Sequence, residues 1–336
     1  MIVGQYSWVF VNKPVIVATA TVGGPFEARG KLATYFDKLH DDIWLEENSF
    51  EKAQRMLFEN ATEIALKKAA INKKDVNYFI AGDLINQITP STFTARTLEI
   101  PYFGLFSACA TSMEGLALAA LIINSGGAHY VLTGTASHNA ATERQFRYPI
   151  EYGGQKPPTA QWTVTGAGCA VVARRGNGPI ITRATIGKVV DMGLTDPFNM
   201  GGAMAPAAVD TIIRHLNDFQ LAPDDYDLII TGDLGEIGLK AAYDSLHDKG
   251  VTIDSERLVD CGISIYNDDQ SVHAGASGTA SSAVGTYGYF IEQLKQKKLK
   301  NMLVVATGSL HSPLSIQQNE SIPCIAHAVA IERDDL

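Results

Sequence analysis

The chain has 336 residues, of which 46% are hydrophobic and 19% charged, and its formal net charge at pH 7 is −9. A chain of this length can bury one large core or two of ordinary size, and its acidic balance argues against nucleic-acid binding, which needs a basic face. No basic start followed by an apolar stretch opens the sequence, and no apolar run reaches about 18 residues, so we predict neither a signal peptide nor a membrane span.

The cysteines are scattered through the sequence, at Cys109, Cys169, Cys261 and Cys324. No two of them have the spacing of a zinc site, and the set does not resemble a disulfide framework. We therefore expect reduced, mostly buried thiols, as in a reducing compartment, and no metal site.

Short segments recur in the same order along the chain. The tetrapeptide ATVG at Ala20–Gly23 returns as ATIG at Ala184–Gly187, an offset of 164 residues (184 minus 20), and each copy follows a β-branched, strand-like run. Each copy precedes a segment whose apolar residues fall at helical spacing, namely Glu51–Ala70 and Pro206–Gln220. These repeats predict an internal duplication.

Strand-like segments extend the match between the two copies. After each predicted helix an apolar strand ends in Gly-Asp-Leu, at Leu84 in the first copy and at Leu234 in the second. Further along, YVLTGTASHNA from Tyr130 matches LVVATGSLHSP from Leu303. Alternating strands and helices predict mostly parallel sheets covered by helices, and two such halves packed together predict a five-layer α/β/α/β/α sandwich.

The junction between the halves is predicted at Gly176–Pro179, because glycine and proline interrupt regular elements. It divides the chain into an N-terminal half of residues 1–178 and a C-terminal half of residues 179–336. Pseudo-twofold symmetry between the halves would bring equivalent turns together in a cleft between them.

A cysteine lies at a predicted strand-to-helix turn in the first half. A strand-like run stops at Ser107, Cys109 follows, and an Ala- and Leu-rich helix begins with Thr111 or Ser112 as its cap. The positive end of the helix dipole favours a thiolate, which suits a nucleophile. A small buried thiol at a tight turn explains the same pattern equally well.

The corresponding segment of the second half is VHAGASGTASSAVG, whose His273 lies at the same offset from Cys109 as the ATVG repeat. The duplication therefore predicts a Cys109–His273 pair of nucleophile and base in the cleft. The alternative is a turn histidine that bonds only to backbone. A third segment, SIPCIAHAVAIE, adds Cys324 and His327 in a predicted strand hairpin.

These segments resemble those of thiolases. CATSMEG is similar to the thiolase nucleophile region, HAGASG is similar to the segment with the histidine base, and Cys324 falls where thiolases have a second cysteine. The resemblance implies a duplicated thiolase fold of two pseudo-twofold-related halves. It also implies an alternative function, an acyl-transfer or condensing enzyme with Cys109, His273 and Cys324 as catalytic candidates.

Two departures from the thiolase pattern argue against efficient condensing chemistry. Thiolases have three glycines after the second cysteine, whereas this chain has Ala326, His327 and Ala328, whose side chains would occupy the acyl site. Acids stand at Asp233 and Glu236, where ketoacyl synthases would have a histidine. We therefore expect a degenerate active site without a resident cofactor.

Longer segments resemble a more specific family. TASHNAATERQFRYPIEYGGQKP from Thr135, VVDMGLTDPFNMGGAMAPAAVDT from Val189, the paired Gly-Asp-Leu segments and SIPCIAHAV are similar to the stage V sporulation protein AD family. That resemblance implies binding of dipicolinic acid (pyridine-2,6-dicarboxylate), its uptake into the forespore and its release during germination. It also implies a peripheral location at the spore inner membrane, membrane proteins of a channel complex as partners, and a homodimer.

A flat aromatic dianion needs a cation for each carboxylate and an apolar or aromatic wall for its ring. Arg144, Arg147 and Lys156 are predicted to supply the charge. Tyr148 or Phe146 would be the wall. The complete predicted ligand-binding set comprises Cys109, His138, Asn139, Arg144, Arg147, Tyr148, Lys156, His273 and His327. A surface loop or a dimer contact is the competing interpretation of this cation-rich segment.

Spores hold dipicolinate with calcium, so the calcium chelate is an alternative form of the ligand. Asp233 and Glu236 are far fewer ligands than the roughly six to eight oxygens that calcium takes. Three functions remain open: a binding module that uses an old enzyme cleft, an acyl-transfer enzyme, and a scaffold for membrane partners. Labelling of Cys109 by acyl-CoA donors would identify the enzyme, and partner binding without ligand affinity would identify the scaffold.

Overall fold

The structure, a computed structural model, describes residues 1–146 and 156–335 of the chain. Its strands are β1 Ile2–Val3, β2 Ser7–Val9, β3 Val15–Gly23, β4 Lys38–Leu39, β5 Tyr78–Gly82, β6 Tyr102–Gly104, β7 Tyr130–Ser137, β8 Trp162–Thr163, β9 Gly166–Ala173, β10 Ile180–Ile186, β11 Leu228–Thr231, β12 Leu258–Asp260, β13 Ala276–Ser277, β14 Asn301–Ser309 and β15 Cys324–Glu332. Its helices are α1 Phe50–Ala69, α2 Thr89–Leu98, α3 Thr111–Asn124, α4 Asn139–Phe146, α5 Met200–Phe219, α6 Gly235–Asp248, α7 Cys261–Ser264, α8 Thr279–Val284, α9 Ile291–Lys295 and α10 Pro313–Gln317.

A large sheet of 13 strands runs through the described part of the molecule, in the main order β12, β11, β14, β15, β10, β3, β9, β7, β5, β6. The first five of these strands come from the C-terminal half and the last five from the N-terminal half. The halves join where Val15 of β3 pairs with Ile180 of β10. The β1–β2 hairpin also pairs with β10, so the first residues belong to the sheet of the C-terminal half. The division at residue 178 stays a prediction.

Parallel pairing is concentrated in the strands that helices connect. β5, β6 and β7 pair in parallel, as do β11, β12 and β14. β9 and β15 instead run antiparallel to both of their neighbours. The connection between β14 and β15 contains only the short helix α10, whereas a parallel return usually needs a long crossover helix. The sheet is therefore mixed rather than mostly parallel.

Helices cover both faces of each half of the sheet. α1 and α2 pack on the outer face of the N-terminal strands, where the ring of Phe58 lies against that of Phe79 with 5.6 Å between the centroids. α5 and α6 pack on the outer face of the C-terminal strands, and Ile212 and Val305 belong to the same buried core there. α3, α8 and α9 fill the middle, and Leu116 belongs to a core that includes strands of both halves. The layers follow the order α, β, α, β, α, and the predicted five-layer sandwich is confirmed.

The second predicted helix begins earlier than its sequence pattern suggested. α1 matches its prediction to within one residue, but α5 begins at Met200 rather than at Pro206. Asn199 caps α5 by accepting a hydrogen bond from the amide of Gly202 at 3.3 Å. Pro206 lies inside the helix, where its missing N–H leaves one carbonyl without an amide partner. The earlier start carries Met200 and Met204 to the edge where the halves meet.

The carboxyl ends of the parallel strands point to one edge of the molecule. In the N-terminal half, β5 and β7 end there at Gly82 and Ser137. In the C-terminal half, β11 and β14 end there at Thr231 and Ser309. In open α/β sheets, loops at this edge form the crevices that bind ligands. Here the loops of the two halves face each other across a cleft.

Candidate functional site

The cleft at this edge contains a narrow cavity with mostly apolar walls. The walls are formed by Leu84, Phe106, Phe146, Met200 and Met204. Polar groups reach the cavity from both halves, namely Cys109, Thr142, Thr163, Asp233, Ser277, Ser309 and His311. A mostly apolar cavity with a few convergent polar groups is the usual form of a small-molecule site.

Cys109 lies in a tight turn of residues Ala108–Ala110 that leads into α3. Ala108 adopts a left-handed conformation with φ of +47°, which is strained for a residue with a side chain. The hydroxyl of Thr111 stabilises the turn, because it donates to the carbonyl of Ala108 at 2.7 Å and accepts from the amide of Ser107 at 3.2 Å. Thr111 therefore braces the turn, while Ala110 occupies the cap position of α3.

Asp233 is completely buried beside Cys109, and the thiol of Cys109 is hydrogen-bonded to its carboxyl group. The hydroxyl of Thr307 donates to one carboxyl oxygen at 2.8 Å, and the amide of Gly278 donates to the other at 3.2 Å. Burial raises the pKa of Asp233 to about 7, although the hydrogen bonds from Cys109 and Thr307 oppose the shift. The residue next to the thiol is thus a carboxyl group that titrates near neutral pH.

Only glycine fits the backbone at position 278. Its φ is +97°, and a Cβ added there would lie 2.8 Å from the hydroxyl oxygen of Ser137. A glycine allows the backbone to approach closely enough for its amide to reach Asp233. The HAGASG segment therefore does contribute to the cleft, through Ser277 and Gly278.

His273, from the same segment, is not brought together with Cys109. It is exposed, it has a φ of +56°, and its backbone pairs with Gln161 outside the cavity lining. The fixed sequence offset placed His273 opposite Cys109, but the loops of the two halves are not of equal shape. Asp233, rather than His273, is the partner of the thiol.

Sequence reasoning missed His311, which lines the cavity. Its Nδ1 is hydrogen-bonded to the hydroxyl of Ser309 at 2.7 Å, and its ring is tilted against Phe146 with 5.5 Å between the centroids. A signal for it was present, because LVVATGSLHSP matches YVLTGTASHNA. That match places His311 after its strand as His138 is placed after the equivalent strand.

Cys324 and His327 lie in β15 and do not line the cavity. Burial raises the pKa of the Cys324 thiol to about 12, so the thiol stays protonated. Burial also lowers the pKa of His327 to about 4. Its neutral ring accepts from the amide of Gly187 and is hydrogen-bonded to the hydroxyl of Ser107, both at 3.3 Å. Both side chains are buried in β15 and lie outside the cavity lining.

His138 and Asn139 fix the start of α4. The Nε2 of His138 donates to the carbonyl of Ile43 at 2.8 Å, and its ring stacks on Phe50. The amide of Asn139 donates to the hydroxyl of Thr165 at 3.0 Å. Neither side chain lines the cavity, whereas Thr142 and Phe146 from the same helix do.

The predicted cations lie beside the cleft but are paired with acids. Arg144 forms an ion pair with Glu51 at 2.7 Å, and Lys156 forms one with Glu143 at 2.9 Å. Neither lines the cavity. The alternative wall residue, Phe146, does line it. Two further predicted residues lie outside the described part of the chain, namely Arg147 and Tyr148.

Solved structures resemble this architecture along nearly its whole length. 3-Oxoacyl-[acyl-carrier-protein] synthase III from Aquifex aeolicus matches with a TM-score of 0.61 and 16% identity, covering 95% of this chain and 99% of the other. OleA of Xanthomonas campestris with bound lauric acid and lauroyl-CoA also gives a TM-score of 0.61, with 14% identity and coverage of 95% and 99%. These likenesses show the fold alone, and the class of fold is thiolase-like.

Sequence comparison defines the family within that class. The family model of stage V sporulation protein AD matches residues 4–332. The stage V sporulation protein AD of Bacillus subtilis (strain 168) is 48% identical over 330 residues, which cover 98% of this chain and 97% of the relative. The chain belongs to the stage V sporulation protein AD family and is a sporulation protein with a thiolase-like fold. Among the described residues, no helix has the length and apolarity needed to cross a membrane.

Proposed function

We propose that the protein binds dipicolinic acid in the Cys109 cleft. The observation that carries the proposal is the cavity itself, whose mostly apolar lining includes Phe106 and Phe146 together with several hydrogen-bonding groups. The flat ring of the ligand suits aromatic walls. Membership of a sporulation family supports a ligand that spores accumulate, with or without calcium.

The two carboxylates of the ligand need cationic or hydrogen-bonding partners, which is a stricter requirement than an apolar wall for its ring. Among the described residues, no lysine or arginine lines the cavity. Arg144 and Lys156 would have to leave Glu51 and Glu143 to reach a ligand. Arg147 remains the predicted guanidinium. Protonated Asp233 is a donor that the cavity does offer, and it lies beside Cys109.

The wider role follows from the family. We propose that the protein acts in uptake of dipicolinate into the forespore and in its release during germination, as a soluble component of a channel complex at the spore inner membrane. A homodimer is part of this proposal. Its support is β6, the last strand of the sheet within the described part of the chain, where Phe103 is 48% exposed and a second copy can pair.

Calorimetric titration of the purified protein with dipicolinate tests the ligand. Pyridine-2-carboxylate and pyridine-3,5-dicarboxylate are the chemical controls. We expect saturable binding that needs both 2,6-carboxylates and weakens about tenfold in Phe146→Ala, because the variant removes one wall of the cavity. Phe93→Ala, at an exposed ring on α2, is the matched control and should bind as the wild type does. A well-folded wild type that binds none of the three acids would refute the proposal.

A second candidate function is acyl transfer, and the hydrogen bond between Cys109 and Asp233 favours it. The thiol proton would pass to the Asp233 carboxylate, and the thiolate would attack a thioester carbonyl and expel the donor thiolate, which takes up the proton from Asp233. The product is an acyl group on Cys109. Mass spectrometry after incubation with acyl-CoA donors tests this reaction, and Cys109→Ala is the control. Partner binding without either ligand or acyl adduct would instead indicate a scaffold.

A further inference from the structure

Two threonine hydroxyls at the Cys109 cavity have no hydrogen-bond partner. Thr142 and Thr163 line the cavity and are only 4% and 0% exposed. Within residues 1–146 and 156–335, neither Oγ1 atom donates or accepts a hydrogen bond. A buried hydroxyl without a partner destabilises a fold, and the great majority of buried polar groups are paired. We call these two residues the threonine pair.

The threonine pair is held in place without the use of its hydroxyls. Helix α4 packs against β8, and the side-chain amide of Asn139 donates to the carbonyl of Thr163 at 3.3 Å. Thr142 lies one helical turn after Asn139, and its own amide donates to the carbonyl of His138 at 3.0 Å. Thr163 pairs in β8 with Ser277 of β13. The fold therefore fixes both residues through their backbones and leaves both hydroxyls available.

The neighbours of the pair are the groups that the proposed ligand would meet. A Cβ added at Gly278 would lie 2.9 Å from Cγ2 of Thr163, and the amide of the same glycine donates to Asp233 at 3.2 Å. Thr142 lies four residues before Phe146, so both belong to one face of α4, and both line the cavity. Thr163 is thus close to the buried acid, and Thr142 is close to an aromatic wall.

Other polar groups of the cavity already have partners within the chain. Asp233 accepts from Thr307 and is hydrogen-bonded to Cys109, and Ser309 is hydrogen-bonded to His311 at 2.7 Å. A threonine hydroxyl can donate one hydrogen bond, and a carboxylate oxygen only accepts. Two unpartnered hydroxyls at an apolar cavity are therefore matched to an acceptor such as a ligand carboxylate.

We propose that Thr142 and Thr163 each donate a hydrogen bond to a carboxylate of the bound ligand and so determine the specificity of the cavity for a carboxylate on an aromatic ring. This inference rests on the proposed binding of dipicolinate and names the groups that receive one of its acids. Neutral donors suit a cavity that, among the described residues, no lysine or arginine lines. The free protein is less stable for holding two unpaired hydroxyls, and the ligand supplies their acceptors.

Calorimetric titration of the full chain with dipicolinate tests the assignment in Thr142→Val and Thr163→Val. Valine replaces the hydroxyl by a methyl group, so each variant should bind about tenfold more weakly. Thr142→Ser and Thr163→Ser retain the hydroxyl and should bind nearly as the wild type does. Thr94→Val is the matched control, because Thr94 is buried in α2 with an unpartnered hydroxyl and does not line the cavity. Its affinity should be unchanged.

Thermal unfolding of the free protein separates a binding role from a structural one. Each valine variant should melt at least about 1 °C above the wild type, because it removes a buried hydroxyl that has no partner. Thr135→Val should instead melt below the wild type, because the hydroxyl of Thr135 donates to the carbonyl of Gly82 at 2.7 Å. A structural role for the threonine pair would make affinity and stability fall together, whereas the proposal expects them to change in opposite directions.

The possible results distinguish this proposal from the proposed function. Wild-type affinity in both Thr142→Val and Thr163→Val would overturn the assignment of the pair and leave dipicolinate binding intact. Valine variants that melt below the wild type would show that the hydroxyls are already hydrogen-bonded in the free protein, and the assignment would again be wrong. A well-folded wild type that binds none of the three pyridine acids would reject both proposals together.

Discussion

The thiol of Cys109 is hydrogen-bonded to the carboxyl group of Asp233, which comes from the other half of the chain. Asp233 is completely buried, and burial raises its pKa to about 7. The carboxyl group therefore changes charge near neutral pH inside the cleft that the proposed ligand would occupy. A group that titrates beside a bound anion couples binding to proton uptake.

We predict that dipicolinate binds more tightly at pH 6 than at pH 8. Ordinary carboxyl groups such as those of the ligand stay ionised in this range. Ionised Asp233 repels them, whereas protonated Asp233 can donate a hydrogen bond. Because binding is coupled to one proton, the affinity can fall by at most about tenfold for each pH unit above the pKa of Asp233. Calorimetry in buffers of different ionisation enthalpy measures both the affinity and the number of protons taken up.

Asp233→Asn provides the control for this pH dependence. The variant should bind dipicolinate with nearly equal affinity at both pH values, because the amide does not titrate. His311 also lines the cavity, so His311→Asn is measured alongside Asp233→Asn. A pH dependence that persists in Asp233→Asn and disappears in His311→Asn would assign the proton to the histidine and contradict the prediction.

Folding stability should also depend on the protonation of Asp233. The folded chain retains this proton up to about pH 7, whereas an unfolded chain loses it near the ordinary value of 3.8. The free energy of unfolding therefore falls as the pH rises through that window. Asp83 and Asp260, whose pKa values burial raises to about 6, act in the same direction.

The melting temperature of Asp233→Asn, relative to that of the wild type, should therefore rise between pH 5 and pH 8. Differential scanning calorimetry at both pH values measures this difference. Asp233→Asn also changes the hydrogen bond with the amide of Gly278. The resulting loss of stability is the same at both pH values, so it cancels when they are compared. A relative melting temperature that stays constant from pH 5 to pH 8 would show that Asp233 is already ionised in the folded protein over this range.

The fold could be predicted because its signals are local and repeated. The strands that end in Gly-Asp-Leu and the helix that became α1 have clear apolar periods, and the duplication fixed their order. The start of α5 could not be predicted, since Pro206 suggested a helix start and Asn199 capped an earlier one. The antiparallel direction of β15 could not be predicted either, because it depends on how the chain connects β14 to β15.

The site was less predictable because it depends on where loops bend. Cys109 was found from its strand-to-helix turn, and Phe146 from its aromatic side chain. His273 was predicted to lie opposite Cys109 because the two repeats are separated by a constant number of residues. Loops of different shape, however, place equivalent residues at different points in space. Asp233 was noted as an acid in place of a histidine and weighed as a calcium ligand, but it was not predicted to be the partner of the thiol. Its role follows from burial and from contact with the opposite half, neither of which a sequence displays.

Cys109 should be the most reactive of the thiols. Burial raises the pKa of Cys324 to about 12 and the pKa values of Cys169 and Cys261 well above the ordinary value. Cys109 instead lines the cleft beside Asp233, which can accept its proton when ionised. Treatment of the native protein with iodoacetamide, followed by peptide mass mapping, should therefore show modification at Cys109 first.

Two comparisons sharpen the labelling experiment. Modification should be faster at pH 8 than at pH 6, and Asp233→Asn should reduce that difference, because the variant lacks the proton acceptor. Excess dipicolinate should protect the thiol if it occupies the cleft. Modification of Cys324 before Cys109 in folded protein would contradict the positions assigned to the two thiols.

Two histidines singled out in the sequence should differ sharply in their effect on stability. His327 is buried and neutral, and it bonds to the amide of Gly187 and the hydroxyl of Ser107. His327→Asn removes at least one of these bonds, so it should lower the free energy of unfolding by about 1–3 kcal/mol. His273 is exposed at positive φ, which asparagine tolerates, so His273→Asn should change stability by less than about 0.5 kcal/mol. Urea unfolding of both variants measures the difference, and equal losses would mean that His273 is held in a packed site like that of His327.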